Sequence, residues 1–248
     1  MNIDYPLQEQ IASLRQLWKE AFGDSDAFLD EFFTRGFAPD RCRCVTLDDE
    51  VVAALYWFDC RLDGRPLAYL YAVATAKNHR GKGLCRSLVE NTNAHLKELG
   101  YSGILLVPAE GLEELYAKVG YVPCTRIREF SCAAAEEKAE LREVDAEEFA
   151  KLRQKYLPDG GVEQAGMEFF HVMARFYTGE NFLVAVSREE KAFFAPELLG
   201  NADAAPNILA ALGAETGTFR TPGDGKAFAM YHSLTDATSP QYFGLAFD

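Results

Sequence analysis

The residues best suited to chemistry form one short turn with the sequence Arg80-Gly81-Lys82-Gly83-Leu84-Cys85. An apolar run precedes this turn and a helical pattern follows it, so it joins a strand to a helix. Glycines on both sides of a lysine leave main-chain N–H groups uncovered, and these groups lie at the positive end of the following helix. Such an arrangement binds phosphate or pyrophosphate. The turn therefore predicts a small phosphate-bearing cofactor.

The elements that must position this turn follow from apolar periodicity and turn signals. Three consecutive strands before the turn are predicted to form an antiparallel meander, and the strand after the next helix is a continuous apolar run typical of a buried sheet position. The predicted elements of the first half are helices over 7–22, 27–35, 83–99 and 112–119, and strands over 42–47, 51–60, 66–75, 104–107 and 121–130.

A stretch of small and charged residues over 133–138 predicts a boundary between a domain over 1–135 and a second domain over 136–248. The order of elements in the second half echoes the first, but no second Gly-X-Gly turn occurs there. The predicted elements of the second half are helices over 145–156, 168–177 and 207–212, and strands over 141–144, 181–187, 191–198, 218–220 and 227–234.

Composition excludes several classes of protein. The chain has 248 residues and a net charge of −13, so it should repel nucleic acid and anionic membrane surfaces. No apolar run approaches the length of a membrane span, and the start has no signal-peptide pattern. The six cysteines are scattered, which favours reduced thiols and a cytoplasmic location. Cys42 and Cys44 form the one close pair, and this spacing predicts no metal site.

The turn is neither a P-loop nor a dinucleotide fingerprint, because it lacks the spacing of both. It resembles the acetyl-CoA-binding motif of the GCN5-related N-acetyltransferases (GNAT superfamily), Arg/Gln-X-X-Gly-X-Gly/Ala. Cys85 departs from this pattern, since it replaces a final glycine or alanine. The resemblance implies an α/β (α+β) fold with a mixed, mostly antiparallel sheet and flanking helices. It also implies acetyl-CoA as donor, with pyrophosphate held by the N–H groups of residues 81–86 and charge added by Lys82 and Arg86.

The preceding segment, residues 71–75, resembles the splayed fourth strand of this family. By this resemblance the N–H groups of Val73 and Thr75 pair with the thioester carbonyl and the pantetheine, as an added strand does at a sheet edge. The Val73 N–H then acts as an oxyanion donor, a role whose loss generally costs roughly 3–4 kcal/mol. The implied cofactor-binding residues are Val73, Ala74, Thr75, Arg80, Gly81, Lys82, Gly83, Leu84, Cys85 and Arg86.

A second match, Leu115-Tyr116-Ala-Lys-Val-Gly-Tyr121, resembles the end of the family's tyrosine-bearing helix. The resemblance makes Tyr116 the general acid that protonates the departing coenzyme A thiolate, a role that suits a neutral phenol. Taken alone, Tyr116 would be a core aromatic, because it shares a helix face with Leu112 and Val119. The general base stays open: the candidates are Asp59, Asp30, Glu31 and the terminal carboxylate of Asp248, or a water relay.

The second half, which has no cofactor motif, extends the likeness to the Enhanced-intracellular-survival-like acetyltransferases, whose catalytic domain is followed by a degenerate acetyltransferase fold. The 248 residues are expected to leave no room for their sterol-carrier-like third domain. The predicted function is acetyl-CoA-dependent N-acetylation of a primary amine, on a small molecule or a peptide, by direct attack. The alternative is a non-catalytic acyl-CoA sensor or interaction module, favoured by Cys85 and the lack of an evident base. Homo-oligomerisation is left open.

Overall fold

The structure is a computed structural model, and it describes residues 1–164, 169–170, 173–187, 192–236 and 238–246. Two compact units are present. Unit 1 contains Met1–Val122 and Met230–Thr238, and unit 2 contains Pro123–Ala229 and Ser239–Asp248. The chain therefore returns to unit 1 at Met230 and leaves it again after Thr238. The division into domains over 1–135 and 136–248 stays a prediction about folding units.

The described helices are α1 (Ile11–Phe22), α2 (Asp26–Glu31), α3 (Leu84–Glu98), α4 (Glu113–Ala117), α5 (Ala146–Tyr156) and α6 (Ala205–Leu212). The described strands are β1 (Asn2–Asp4), β2 (Cys42–Leu47), β3 (Glu50–Leu62), β4 (Arg65–Thr75), β5 (Gly103–Leu106), β6 (Val122–Pro123), β7 (Arg126–Ala133), β8 (Arg142–Val144), β9 (Glu163–Gln164), β10 (Ala174–Gly179), β11 (Phe182–Ser187), β12 (Phe193–Ala195), β13 (Glu197–Gly200), β14 (Thr216–Pro222), β15 (Lys226–Ala227) and β16 (Met230–Ser233).

Unit 1 is built on one twisted sheet in which β1, β2, β3, β4, β5 and β16 are neighbours in that order. The pairs are antiparallel except β4 with β5, which are parallel. This confirms the predicted fold class, a mixed and mostly antiparallel sheet with flanking helices. The short strand β1 escaped prediction because its three residues carry too little periodic pattern.

Each face of this sheet is covered by helices with an apolar stripe. On one face α3 buries Leu84, Leu88, Val89 and Leu96 in a cluster that includes side chains of β3, β4 and β5. On the other face α1 brings Trp18 against the aromatic side chains of β3 and β4. The sheet between two helical layers is what fixes the end of β4 and the start of α3, where the predicted turn lies.

Unit 2 contains two four-stranded sheets, with strand orders β13-β11-β10-β8 and β12-β14-β7-β15. Here the predictions need corrections. The helix predicted over 168–177 is helical at residues 169, 170 and 173, but from residue 174 onward the prediction is wrong, because the chain there is strand β10, paired with β11. Residues 168, 171 and 172 lie outside the described residues. Arg175 is exposed between the buried residues Ala174 and Phe176, and this alternation fits a strand better than a helix.

Two predicted strands of the second half are divided in the structure. The strand predicted over 191–198 is β12 and β13, which pair with different partners, and residue 191 lies outside the described residues. The strand predicted over 227–234 is β15 and β16, which belong to different units. The strand predicted over 121–130 is also divided, into β6 and β7, and β7 continues past residue 130 because its residues 127–133 pair with β14.

A buried ion pair anchors the last described segment within unit 2. The Arg153 guanidinium donates to both carboxylate oxygens of Glu197, at 2.7 and 2.9 Å, and Glu197 is fully buried. The Tyr242 hydroxyl donates to the same carboxylate at 2.9 Å, and the Gln164 amide donates to the Leu245 carbonyl at 2.6 Å. The apolar tail thus packs inside its unit; Asp248, a candidate base, lies outside the described residues.

Candidate functional site

Strand β4 contains a bulge at the position where the site begins. Tyr71 pairs with Tyr56 and Ala74 with Ala54, so Leu55 alone stands opposite two residues of β4. One of these, Ala72, has a φ of 49°, in the left-handed region that residues other than glycine seldom adopt. The extra residue shifts the alternation of side chains along the strand. As a result Val73, rather than Ala72, packs against the core cluster under α3.

The bulge lies where β4 and β5 separate. Their parallel pairing runs from Leu67 with Gly103 to Tyr69 with Leu105, and β4 continues to Thr75 beyond this last pair. The Ala76 N–H donates to the Val52 carbonyl of β3 at 2.9 Å. Since N–H groups alternate between the two edges of a strand, those of Val73 and Thr75 point toward the opened edge. Strand β4 is therefore open at this edge, in the segment whose sequence resembles the family's splayed strand.

The predicted phosphate turn has the backbone that its glycines suggested. Gly81 and Gly83 have φ values of 73° and 79°, and no described atom lies within 4 Å of a Cβ placed on either one. Helix α3 begins directly after Gly83, and no side chain among the described residues caps its first turn. The first N–H groups of α3 are therefore available to an anion. We call residues 80–86 the donor turn.

Three cations accompany the donor turn, and two of them have defined partners. The Arg80 Nε donates to the Thr75 carbonyl at 3.0 Å, which folds this side chain back over the end of β4. Arg86 forms an ion pair with Glu90 one helical turn later, at 2.9 Å. Lys82 is exposed. The helix end and these side chains together give the turn a positive potential within a strongly acidic chain.

Cys85, the one departure from the family pattern, turns its side chain toward the protein. It is half-buried and packs against the core cluster that contains Leu88 and Tyr116. Burial raises the pKa of the Cys85 thiol, so the side chain is neutral at physiological pH. The larger side chain is thus accommodated by the core and not on the main-chain surface of the donor turn.

Tyr116, on α4, lies beside Cys85 in the same cluster and is only 6% exposed. Burial, with a smaller effect of the neighbouring Cys85, raises the pKa of the Tyr116 phenol well above its ordinary value. Its ring meets that of Tyr121 edge to face at 5.9 Å. Within the described part of the chain its hydroxyl has no hydrogen-bond partner, whereas the Tyr121 hydroxyl donates to Asn93 at 2.8 Å.

The carboxylates considered as bases have other partners. Asp59 accepts two hydrogen bonds from Arg41 and one from the Tyr101 hydroxyl, at 2.6 Å. It pairs with Ala68, so it lies about 20 Å along β4 from Ala74 at roughly 3.3 Å per residue. On α2, Asp30 pairs with Arg15 and Glu31 with Arg35. Asp59 therefore lies away from the opened edge, whereas Asp30 and Glu31 are engaged in ion pairs on the surface of the protein.

The aromatic residues of α2 and of the turn after it pack mainly into the protein. Phe28 and Phe32 are buried, and Phe33 is half-buried. Trp18 is their common neighbour, with ring centroids 4.4 Å from Phe32 and 6.2 Å from Phe28. The interpretation of these residues as core rather than substrate contacts fits Phe28 and Phe32 best.

One residue of this region was missed by sequence reasoning. The Glu20 carboxylate on α1 accepts a hydrogen bond from the Lys77 main-chain N–H at 2.6 Å, directly before the donor turn. No local pattern marks Glu20, because its partner is a backbone group 57 positions later. Among the described residues there is neither a cluster of three metal-ligating side chains nor a helix long and apolar enough to cross a membrane.

Comparison with known proteins decides the family. The family model of the acetyltransferase (GNAT) domain matches residues 3–124. These residues are a GNAT acetyltransferase domain. The match covers the splayed strand, the donor turn and Tyr116. It confirms the predicted enzyme class, an N-acetyltransferase. A search of curated proteins found no match to the sequence.

Solved structures extend the likeness of fold over nearly the whole chain. A GCN5-related N-acetyltransferase from Kribbella flavida aligns with 94% of this chain and 72% of its own, at 20% identity and a TM-score of 0.70. One from Anabaena variabilis aligns with 94% and 73%, at 14% identity and a TM-score of 0.72. Eis1 from Mycobacterium abscessus aligns with 94% and 74%, at 13% identity and a TM-score of 0.69. At these identities the likeness concerns the fold.

Proposed function

We propose that this GNAT chain transfers the acetyl group of acetyl-CoA to a primary amine by direct attack, with Tyr116 as general acid. The observation that carries the proposal is the place of Tyr116. It lies beside Cys85, in the first turn of α3, and its hydroxyl has no hydrogen-bond partner among the described residues. A phenol next to the donor turn that makes no structural hydrogen bond can donate to a bound donor substrate.

The residues that would hold the donor are the opened end of β4, Val73 to Thr75, and the donor turn. Acetyl-CoA supplies the activated acetyl group and a pyrophosphate. The fit rests on the open space at Gly81 and Gly83 and on the uncapped N–H groups of α3. The Val73 N–H faces the opened edge, where a fixed donor stabilises developing negative charge on a carbonyl oxygen without reorganising.

The raised pKa of Tyr116 defines how this group acts. The phenol stays neutral and keeps its proton throughout the physiological range. Tyr116 is therefore protonated when the thioester bond breaks, and it donates a hydrogen bond and then its proton to the departing sulfur.

The amine must lose a proton, and the candidate carboxylates on α2 and β3 are held in ion pairs elsewhere. We therefore propose that water carries this proton away. The acceptor is a small-molecule or peptide amine approaching from the side of α1 and α2. The same proposal includes the two predicted domains, 1–135 and 136–248, and a cytoplasmic location. It includes no binding to nucleic acid or to membranes, and it leaves homo-oligomerisation open.

Two neighbouring tyrosines allow a matched test of Tyr116. Tyr116→Phe should bind acetyl-CoA like the wild type but release thiol about 100-fold more slowly in the presence of an accepted amine. It should be at least as stable, because the lost hydroxyl is unpaired. Tyr121→Phe should keep its turnover but lose about 1–2 kcal/mol of stability, since Asn93 then lacks its donor.

The measurements are calorimetric acetyl-CoA binding, thiol release over a panel of primary amines, and thermal melting. Equal turnover of Tyr116→Phe and the wild type would refute the general acid. Tight acetyl-CoA binding without thiol release for any amine would support the sensor alternative.

A further inference from the structure

The acid on the last turn of α1 contacts the start of the loop that leads to the donor turn. Glu20 Oε1 lies 2.6 Å from the Lys77 main-chain nitrogen, and Lys77 opens the 3-10 turn Lys77–His79. Helix α1 packs against β3 and β4. The contact therefore ties a helix on one face of the sheet to the loop that leaves the end of β4.

Glu20 occupies an unfavourable place for a carboxylate within its own helix. The last turn of a helix is the negative end of its dipole, which favours cations. Lys19, its neighbour, already pairs with Asp26. Glu20 has no cationic partner in the described ranges of the chain. The Lys77 N–H is thus the one described group that satisfies it, and a charged acceptor makes this hydrogen bond stronger than a neutral one.

The loop between β4 and the donor turn is fixed on both sides of this contact. The Ala76 N–H is bonded to the neighbouring strand β3, and the His79 N–H donates back to the Ala76 carbonyl at 2.8 Å. Lys77 lies between these two points. Its bond to Glu20 completes a continuous set of restraints from β4 to Arg80, the first residue of the donor turn.

We propose that Glu20 is a positioning residue for the donor. Its carboxylate holds the entry to the donor turn, so that Arg80 and the main-chain N–H groups after it already face the pyrophosphate before acetyl-CoA binds. This inference rests on the proposed acetyl-CoA site. A preorganised turn loses less conformational freedom on binding. Since the contact lies four residues beyond Val73, losing it should weaken donor binding and leave the chemical step intact.

The test compares full-length variants of exposed residues on one helix. Glu20→Ala removes the acceptor, Glu20→Gln keeps an oxygen that can accept the Lys77 N–H, and Gln16→Ala is an exposed control one helical turn earlier. We expect Glu20→Ala to raise the acetyl-CoA dissociation constant and KM about three- to tenfold, the effect of one hydrogen bond, with kcat unchanged. Glu20→Gln should stay within about twofold of the wild type, and Gln16→Ala should match it.

The readouts are calorimetric binding of acetyl-CoA, steady-state thiol release, and a melting curve for each variant. Unchanged affinity in Glu20→Ala, or a loss in Glu20→Gln as large as in Glu20→Ala, would overturn the positioning role alone. A fall in kcat at unchanged affinity would also overturn it. If the wild-type protein does not bind acetyl-CoA, the proposed function is wrong and this inference with it. If the wild type binds acetyl-CoA and Glu20→Ala binds it equally well, only the positioning role is wrong.

Discussion

Gly83 and Gly213 have similar left-handed conformations, with φ values of 79° and 74°, and no described atom lies near the Cβ position of either. Gly83 precedes α3 in the donor turn, whereas Gly213 ends α6 in the other unit. An alanine at either position costs about 1–2 kcal/mol of backbone strain. We expect Gly83→Ala also to weaken acetyl-CoA binding at least about tenfold, because its methyl group fills the space that the pyrophosphate needs.

The comparison separates strain from ligand contact. Melting temperatures of Gly83→Ala and Gly213→Ala should fall by similar amounts, while calorimetry should show normal acetyl-CoA affinity for Gly213→Ala. Equal affinities in the two variants would mean that the open space at Gly83 is not the pyrophosphate site.

At the scale of single residues, the sequence predicted those residues whose role depends only on their neighbours along the chain. The glycines of the donor turn have a spacing that demands a particular backbone, so Gly81 and Gly83 could be recognised without a structure. The direction of the Cys85 side chain depends on the packing of α3 against the core, which no spacing reveals. Glu20 was beyond prediction because its partner is a main-chain N–H distant in the chain.

At the scale of elements, the bulge in β4 decides which residues face the site. Ala72 has a φ of 49°, which a glycine adopts without strain and a β-branched residue resists. We expect Ala72→Val to lower the melting temperature and to reduce kcat about 10- to 100-fold, because a strand that loses its bulge moves the Val73 N–H away from the opened edge. Ala72→Gly should keep its activity and be equally or more stable.

Thermal melting and thiol release measured on both variants test this role of the bulge. The loss in Ala72→Val should persist at temperatures well below its melting point, where the protein is folded. If Ala72→Val is less stable but turns over at the wild-type rate, the bulge serves the fold and not the reaction.

The same element shows what sequence patterns can and cannot supply. Alternation and turn signals predicted the meander of β2, β3 and β4 because antiparallel neighbours leave a regular apolar pattern. The bulge left no signal, since alanine is not typical of a positive φ. In unit 2 the segment of β10 carried closely spaced aromatic residues that fit a helix as well as a strand, and its pairing with β11 decided the outcome.

At the scale of the whole molecule, the chain leaves unit 1 after Val122 and returns to it at Met230. The returning strand β16 pairs with β5, whose residues are all buried. The ring of Tyr231 lies over Gly103 so closely that a Cβ there would be 2.2 Å from its hydroxyl oxygen. Unit 1 therefore depends on a segment more than a hundred residues away, which a boundary read from local composition at residue 135 does not reveal.

This dependence predicts how fragments of the chain behave. A fragment of residues 1–135 lacks β16, so it leaves the edge of β5 unpaired and exposes the apolar surface that Met230 and Tyr231 cover. We expect it to aggregate or to melt without a cooperative transition.

Residues 1–124 joined by a flexible Gly/Ser linker to residues 230–238 should melt cooperatively and bind acetyl-CoA. The same fusion with residues 230–238 in shuffled order is the matched control, read by circular dichroism and calorimetry. If the 1–135 fragment is as stable as the fusion, β16 is dispensable and the first domain folds as the composition predicted.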